Sequence, residues 1–360
     1  MTPANLRVHI RQLCCLGYPG EQLMPTLLKA VRHLVEADSA GFFWVDSRGD
    51  MASLYAERLL PAPAMKLYFE RYFEPGESSF RRAFIERMRG RETVIAVSPT
   101  VALERSPMYN EVFRHLDAHH VLYGIVREQG QAIGQLSLYR PKSARAFSAA
   151  ERAELSSIMR YVAHGVSHRQ APALSINRYL DAEDDAVFVL GAEGDIGQMS
   201  ASARKLLALA IEGKIAPTAS AGELEYAARP ALQCLRERLR VVMAGGDGEA
   251  PSLVFHNSFG RFVLRAYALG DMPTDSNIAI SIKRQEPLLL KFVGALTGLA
   301  LSPQQREVAV GLAKGSSNQE LADALGVSGN TVAYHIKQLF QKLDAHDRSQ
   351  MMAKVLGKDP

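Results

Sequence analysis

The last sixty residues constrain the fold of this chain most, because they read as a series of short helices with clear start and stop signals. Ser302 is a candidate N-cap, Pro303 stands at the first helical position, and Gln305 is placed to close a capping box. Gly315 stands where that helix should end. The same kinds of signal recur at Ser317, Glu320, Gly326, Ser328 and Asp347. The pattern predicts three short helices joined by tight turns, with a fourth helix behind them.

The third of these helices has two faces of different character. Its apolar stripe follows helical spacing through Val332, Ile336, Leu339 and Leu343. The opposite face holds the side chains that are free to enter a DNA groove, and these are Asn330, Ala333, Tyr334, Lys337 and Gln341. Lys337 can donate to a guanine edge or to a phosphate, and Tyr334 can pack on a thymine methyl or reach a phosphate. Asn318, Ser328 and Thr331 lie in first turns, where amide and hydroxyl groups clasp a DNA backbone. The layout predicts a helix-turn-helix that places one helix in the major groove.

This segment resembles the LuxR-type helix-turn-helix domain of bacterial transcription regulators. The resemblance rests on LSPQQREV, on GSSNQELADALGVS, on the NTV and HI of the third helix and on the Q-K-L that ends it. It implies base-edge contacts at Ala333, Tyr334 and Lys337, and phosphate contacts around Thr331. The chain departs from the family at Gln305, where Glu is usual, and at Asn330 and Ala333, where basic residues are usual. The target sequence therefore cannot be carried over.

The charge of the segment favours a dimer as the form that binds DNA. Leu301 to Pro360 contain seven basic and six acidic residues, a net charge of +1. Because phosphate neutralisation supplies most non-specific affinity, a single copy should bind weakly. We expect a homodimer on two half-sites of double-stranded DNA, paired through Met351, Met352 and Val355, with RNA polymerase as a possible further partner. The alternative is a three-helix interaction module that never touches DNA.

Residues 1–170 show the element order of an α+β sensor domain. A helix is predicted from Glu21 to Glu36, strands follow to about Tyr55, and helical segments cover Met65 to Phe73 and Phe80 to Met88. His120 to Arg140 form a hairpin, and a long helix starts at Ser148 with a capping box to Glu151. This order, together with GQAIGQLSLYRP and FSAAERAEL, resembles a GAF domain.

Members of that family hold a small molecule between the sheet and the variable middle segment. If the resemblance extends to a ligand, the pocket draws on aromatic side chains, namely Trp44, Tyr55, Phe69, Tyr72, Phe73, Tyr109, Phe113 and Tyr123. The alternative is that these aromatics are core. No sequence signal identifies an effector or a cofactor.

Residues 175–285 resemble a PAS domain, chiefly through an opening strand at Ala186 to Leu190, a turn and a short helix at Ser202 to Leu209. A connecting helix is predicted within 286–299, and the helix-turn-helix domain occupies 300–358. The predicted fold class is therefore multidomain, with GAF-like and then PAS-like α+β sensor domains followed by an all-α DNA-binding domain.

Composition excludes several classes of protein. Apolar residues make up 47% and charged residues 22%, as in a soluble globular protein, and no apolar run is long enough to span a membrane. The start of the chain lacks the apolar core of a signal peptide, so a cytoplasmic location without membrane association is expected. The chain shows no G-x-S-x-G, Walker or H-E-x-x-H motif, so an enzyme is not expected.

A few other polar residues attract alternative interpretations. Cys14 and Cys15 are expected to be small buried hydrophobes, with a redox sensor as the alternative. His115, His119 and His120 offer a metal site as an alternative, since His115 and His119 would share a helix face, but no carboxylate or cysteine partner is evident and no metal is expected. The pair at 184 and 185 resembles the acidic pair of a phospho-receiver but precedes its strand, so it is expected to be a solvated loop.

The sequence as a whole predicts a DNA-binding transcription regulator whose DNA binding is modulated by a small molecule or a partner at its sensor domains. The alternative is a constitutive DNA-binding regulator whose GAF-like and PAS-like domains only dimerise or hold a protein partner.

Overall fold

The computed structural model describes residues 2–60, 62–73, 79–167, 178–191, 193–215, 221–270 and 277–357. Its α-helices are α1 Pro3–Cys14, α2 Gly20–Leu34, α3 Ala62–Leu67, α4 Ser79–Arg89, α5 Val101–Glu104, α6 Pro107–Glu111, α7 Ala149–Ser167, α8 Ala201–Glu212, α9 Ala221–Met243, α10 Leu288–Ala295, α11 Pro303–Lys314, α12 Asn318–Leu325, α13 Gly329–Leu343 and α14 Arg348–Val355. Its strands are β1 Ser39–Val45, β2 Met51–Ala56, β3 Val94–Val97, β4 His120–Glu128, β5 Gln131–Arg140, β6 Tyr179–Leu190, β7 Ile196–Met199, β8 Ser252–Asn257, β9 Gly260–Ala268 and β10 Ile278–Pro287. The fold is therefore two α+β units followed by an all-helical segment.

The first sheet is antiparallel, with strand order β2-β1-β5-β4-β3. Helices α2 and α7 cover one face of this sheet, and α1 packs on both of them. Gly124 makes this close packing possible, because a Cβ there would lie 2.8 Å from the sulfur of Met159 on α7. Helix α4 and a π-helical turn at Tyr68–Phe73 lie over the opposite face. The predicted helix before β1, the β4–β5 hairpin and the long α7 are all present.

The second sheet repeats that strand order, β7-β6-β10-β9-β8, with α8 and α9 packed against it. Strand β6 begins at Tyr179, seven residues before the predicted start at Ala186. The prediction that Asp184 and Asp185 form a solvated loop is therefore wrong. Asp184 lies within β6, and its carboxylate accepts a hydrogen bond from Nε of the buried Arg284 at 2.8 Å.

The predicted connecting helix exists as α10, extended by a 3-10 turn at Leu296–Gly298. It is a packed element, because Leu290, Phe292, Val293 and Leu296 are buried. Helix α10 contacts α1, β6 and β10 on one side and α11 and α14 on the other. The two α+β units and the C-terminal helices therefore meet directly at α10.

Helix α11 rests on a surface made by α1, α10 and the turn after α10, which we call the docking surface. Its central contact is Arg306, of which 1% is exposed. The guanidinium group donates hydrogen bonds to the carbonyls of Leu296 at 2.6 Å and Leu299 at 2.7 Å. At the edge of the same surface, Arg11 of α1 forms an ion pair with Glu307. Both contacts are polar and directional, so they define one orientation of α11.

The cysteine and histidine predictions are only partly confirmed. Cys14 is buried, and burial raises the pKa of its thiol, whereas the neighbouring Cys15 is exposed. His115 lies in a 3-10 turn that ends at a left-handed Asp117, so it shares no helix with His119. His119 has the carboxylate partner that the sequence did not reveal, because its Nε2 lies 3.4 Å from Glu104.

The described ranges lack both a metal-binding cluster and a helix suited to cross a membrane. They contain no cluster of three or more His, Cys, Asp or Glu side chains placed to bind a metal ion. None of the helices in those ranges has the length and apolar character needed to cross a membrane.

Candidate DNA-binding interface

Helices α12 and α13 form a helix-turn-helix around a small core of their own. Leu321 and Ala322 of α12 pack with Val332 of α13, and Leu312 and Ile336 close the cluster. The turn between the helices includes Gly326 at φ 65°, a backbone conformation that costs glycine little. This geometry fixes the angle at which α13 projects from the rest of the segment.

Both capping boxes predicted for the C-terminal segment are present. The Ser302 hydroxyl accepts from the backbone N–H of Gln305, and the Gln305 side chain accepts from the N–H of Ser302. Ser317 and Glu320 make the same reciprocal pair at the start of α12. Hydrogen bonds from the backbone N–H and the hydroxyl of Ser317 lower the pKa of the Glu320 carboxyl. Glutamine in place of the usual glutamate therefore preserves the box at α11.

Ser317→Ala should destabilise the helix-turn-helix by about 1 kcal/mol, because it removes the N-cap acceptor of α12. Urea unfolding followed by circular dichroism measures this change. Ser316→Ala is the matched control, because Ser316 is adjacent and its side chain does not cap the helix. Equal stabilities of the two variants would contradict a role for the cap.

The outward face of α13 is accessible. Tyr334 is 59% exposed, and Thr331 is half-buried. The other predicted DNA-binding side chains are all exposed, namely Asn318, Ser328, Asn330, Ala333, Lys337 and Gln341. The Ser328 hydroxyl caps α13 by accepting from the N–H of Thr331 at 3.2 Å. One face of α13 is thus packed and the opposite face presents polar groups to the surroundings.

The residues predicted to pair two copies are placed differently. Met351 and Val355 of α14 are buried within the chain, and Met352 is half-buried. Met351 and Val355 belong to the large apolar core that α14 closes against α10 and α11. These two side chains therefore pack within the chain, and the pairing of two copies through them stays a prediction.

The aromatic residues predicted to line one ligand pocket do not come together. Tyr55 pairs across strands with Phe42, so both lie on the α7 face of the sheet. Tyr123 is next to Gly124, which packs on α7, and therefore points to the opposite face. Trp44 also lies on the α7 face, since it follows Phe42 by two positions along β1 and residues two apart on a strand share a face. Trp44 and Tyr55 therefore lie on one face of the sheet, and Tyr123 lies on the other.

Two of the remaining members of that set, Tyr72 and Tyr109, make separate polar contacts. The Tyr72 hydroxyl donates to Glu111 at 2.6 Å, and the Tyr109 hydroxyl lies 2.9 Å from Nδ1 of His119. Phe113 begins a 3-10 turn. The side chains of Phe69 and Phe73 lie outside the described part of the structure.

A buried polar cluster lies on the face of the sheet away from α7, and most of it was missed from the sequence. Arg87 of α4 lies 4.3 Å above the Tyr123 ring and donates to Gln135 at 3.1 Å. Gln135 in turn donates to Ser137 at 3.0 Å. Burial raises the pKa of the Tyr139 phenol on the same face. The sequence signal that could have predicted this cluster was the alternation of polar side chains along β5.

A cavity of about 880 Å³ lies between the first unit and the second. Its walls come from α1, α2, β2, β6, α8, β10 and α10. Among the predicted ligand residues whose side chains are described, Tyr55 is the one that lines it. Sequence reasoning missed this cavity because its lining residues are distributed from Leu6 to Gly298, with no local motif.

Comparison with known proteins places the C-terminal segment. Residues 299–355 match the family described as bacterial regulatory proteins, luxR family. The chain is 39% identical over 54 residues to the probable transcriptional regulatory protein SgaR of Hyphomicrobium methylovorum, covering 15% of this chain and 26% of that protein. It is 41% identical over 51 residues to the putative HTH-type transcriptional regulator YhjB of Escherichia coli strain K12, covering 14% of this chain and 26% of that protein. The chain thus spans about a quarter of the length of these relatives.

Among solved structures, the chain is similar to the GAF domain/HD domain protein from Geobacter sulfurreducens. The identity is 20%, the TM-score is 0.32, and the match covers 42% of this chain and 93% of that one. The capping boxes, the glycine turn and the exposed α13 face fall within the family match. Residues 299–355 are therefore a DNA-binding helix-turn-helix domain of the LuxR family of bacterial regulatory proteins.

Proposed function

We propose that this chain is a sequence-specific transcription regulator whose DNA binding is modulated by a small molecule at the preceding units. The observation that carries the proposal is the exposed polar face of α13 within the LuxR-family segment. The arrangement of the rest of the chain supports modulation, because α11 rests on helices α1 and α10 that belong to or border the two α+β units.

Within this proposal each part of the chain has a separate role. Residues 1–170 form a GAF-like unit and residues 175–285 a PAS-like unit. Residues 286–299 connect them to the DNA-binding domain at 300–358. The working form on DNA is a homodimer, because one domain with a net charge of +1 offers few phosphate contacts.

The contacts to DNA follow from the positions of the exposed groups. Tyr334 and Lys337, on the second and third turns of α13, face bases, with Ala333 close to a base edge. The N-terminal ends of α12 and α13 face phosphates through amide and hydroxyl groups, which belong to Asn318, Ser328, Asn330 and Thr331. Gln341 lies farther along α13, where its side chain would approach the DNA backbone.

Lys337→Ala should weaken specific DNA binding by about 1–3 kcal/mol if the ammonium group reads a base. If it contacts phosphate instead, the loss should be similar on every sequence and the salt dependence should fall by about one counterion. Fluorescence anisotropy on specific and scrambled duplexes at several salt concentrations distinguishes the two. Lys354→Ala is the control, because Lys354 lies on α14 and pairs with Asp344 at 3.5 Å. Unchanged affinity in both assays would contradict the placement of α13 in the groove.

The first test of the proposal is selection of binding sites from random duplex DNA by the full-length protein at physiological salt. A two-fold symmetric motif is the expected result, because a dimer reads two half-sites. Repeating the selection with residues 295–360 shows whether the preceding units restrain DNA binding. Enrichment of no motif by either protein would contradict a DNA-binding function. Equal binding by ligand-free and ligand-saturated protein would favour a constitutive regulator.

A further inference from the structure

The cavity between the two α+β units is lined by ionisable side chains from both. Four of its carboxylates already face a cation, in the pairs Lys29–Glu183 at 2.8 Å, Arg32–Glu57 at 3.2 Å, Arg284–Asp184 at 2.8 Å and Lys291–Glu286 at 4.0 Å. Lys205 of α8 is the fifth cation on the lining and takes part in none of the ion pairs within the described residues. The formal charges of these five cations and four carboxylates leave one positive charge in excess on the lining.

Lys205 makes no direct ion pair within the described residues, and the carboxylates of Asp184 and Glu57 favour its charged form only from a greater distance. Its ammonium group donates to the carbonyl of Ala56 at 2.8 Å and lies 4.0 Å above the ring of Tyr55. Burial lowers the pKa of Lys205 to about 8, so it still carries most of its charge at pH 7. A buried ammonium group that no carboxylate contacts is costly, and an anion that enters the cavity and contacts it would reduce that cost.

A second cationic side chain on the lining has unused donor capacity. Arg284 is 3% exposed, and its Nε is engaged by Asp184. Its Nη1 has no hydrogen-bond partner within the described structure. Buried donors of charged groups normally have partners, so an orphan of this kind points to an absent acceptor.

The remaining lining suits a hydrocarbon body. Leu6, Pro25, Ala30 and Ala295 line the cavity alongside the charged groups. The volume of about 880 Å³ lies within the range of metabolite-sized sites. The single excess charge matches a monoanion better than a phosphate dianion.

We propose that this cavity binds a small amphiphilic monocarboxylate, with its carboxylate at Lys205 and its hydrocarbon part against α1, α2 and α10. The site lies outside each sheet unit, between the two. The regulatory role of this site rests on the proposed function. The site adds to that function a class of effector and a place where the effector binds.

The same cavity borders the docking surface of α11. Leu6 and His9 line it from α1, and Gly294, Ala295, Thr297 and Gly298 line it from α10 and the turn that follows. That turn supplies the Leu296 and Leu299 carbonyls that hold Arg306. An occupant that shifts α1 or this turn therefore changes the contacts that hold the DNA-binding domain.

Trp44 is the only tryptophan of the chain and provides an intrinsic reporter. Its ring lies 5.8 Å from Phe259, which stacks at 6.0 Å on Tyr55 in the cavity wall. The experiment titrates the full chain with butyrate, hexanoate and octanoate, and with their neutral amides, while Trp44 emission is recorded. Saturable changes are expected, with the acids binding at least tenfold more tightly than the amides, and with affinity rising about fourfold per added methylene.

Two variants and one control assign the binding to this cavity. Lys205→Met should reduce the preference for acid over amide to less than twofold. Lys283→Met should leave it unchanged, because Lys283 is exposed and pairs with Asp181 away from the cavity. Thr26→Phe, on the α2 wall, should weaken acids and amides alike by filling the space. Because Thr26 is half-buried, this second variant keeps the test decisive if Lys205→Met fails to fold.

Equal affinities for acid and amide, or no saturable change with any of the six probes, would overturn the proposal. DNA affinity is measured separately, by anisotropy with and without octanoate. Carboxylate binding that leaves DNA affinity unchanged would support the site and contradict ligand modulation. A chain that binds no DNA would contradict the proposed function while the fluorescence titration still decides the site.

Discussion

Arg140→Met is expected to lower the free energy of unfolding of the first α+β unit by about 3–5 kcal/mol, the range for breaking a buried ion pair. Arg140 is 2% exposed and donates to Glu151 at 2.6 Å and to the carbonyl of Val35 at 2.7 Å. Its guanidinium also lies 4.1 Å above the Phe147 ring. The substitution leaves the Glu151 carboxylate without its buried partner. Urea unfolding monitored by Trp44 emission measures the change.

Arg145→Met is the matched control for this prediction. Arg145 also pairs with Glu151, at 2.8 Å, but 61% of its side chain is exposed. Exposed ion pairs contribute about 0–1 kcal/mol, so the control should be close to the wild type. Equal effects of the two substitutions would show that burial of Arg140 does not determine its contribution.

Acid titration should give an independent signature of the same pair. Burial alone would raise the pKa of Glu151, but hydrogen bonds from Arg140 and Ser148 outweigh it and lower the pKa from 4.5 to about 2. A lowered pKa means that this stabilisation is present above pH 4.5 and is lost as the pH falls towards 2. Arg140→Met should therefore reduce the loss of stability across that interval.

Arg306→Met is expected to destabilise the docking of α11 by about 3–5 kcal/mol, because it removes the charged donor from three buried carbonyl contacts. These carbonyls belong to Leu296, Leu299 and Leu301, at 2.6, 2.7 and 3.3 Å. We expect faster hydrogen exchange at the start of α11 and in the preceding turn, with little change in the two sheets. Hydrogen exchange with mass spectrometry resolves these regions.

Arg348→Met provides the comparison within the same helical segment. Arg348 is exposed and donates one hydrogen bond, to the carbonyl of Ala313 at 2.9 Å. Its replacement should cost about 1 kcal/mol and leave exchange at the docking surface unchanged. Unaltered exchange around Leu296 in Arg306→Met would contradict the role of Arg306 at this surface.

The features that the sequence predicted well are those encoded by neighbouring residues. The capping boxes at Ser302 and Ser317, the stripe of α13 and the β4–β5 hairpin each depend on groups a few positions apart. Caps, periodicity and turn residues act at that range, so local patterns were sufficient. The accessibility of Lys337 and Tyr334 followed from the same periodicity.

The features that the sequence did not predict depend on pairs far apart in the chain. Asp184 was read as a solvated loop because its partner, Arg284, stands 100 positions later. Met351 was expected at an intermolecular contact because the apolar surface of α10 that covers it could not be inferred. The cavity around Lys205 has the same origin, since it exists only once two units are packed together. The residue types at these places showed which groups are charged or apolar, but their contacts depend on how distant parts of the chain pack.

The contact between Arg11 and Glu307 joins residues 296 positions apart, which has a consequence for the order of folding during synthesis. At about 5–20 residues per second, the ribosome needs roughly 15–60 s to make the chain between them. During that time the surface of α1 that later receives α11 remains uncovered. Closure of a contact with such separation is slow compared with formation of the local helix pairs. The helix-turn-helix should therefore form first and attach to α1 afterwards, so that the nascent chain passes through a state in which this domain is folded but not yet docked.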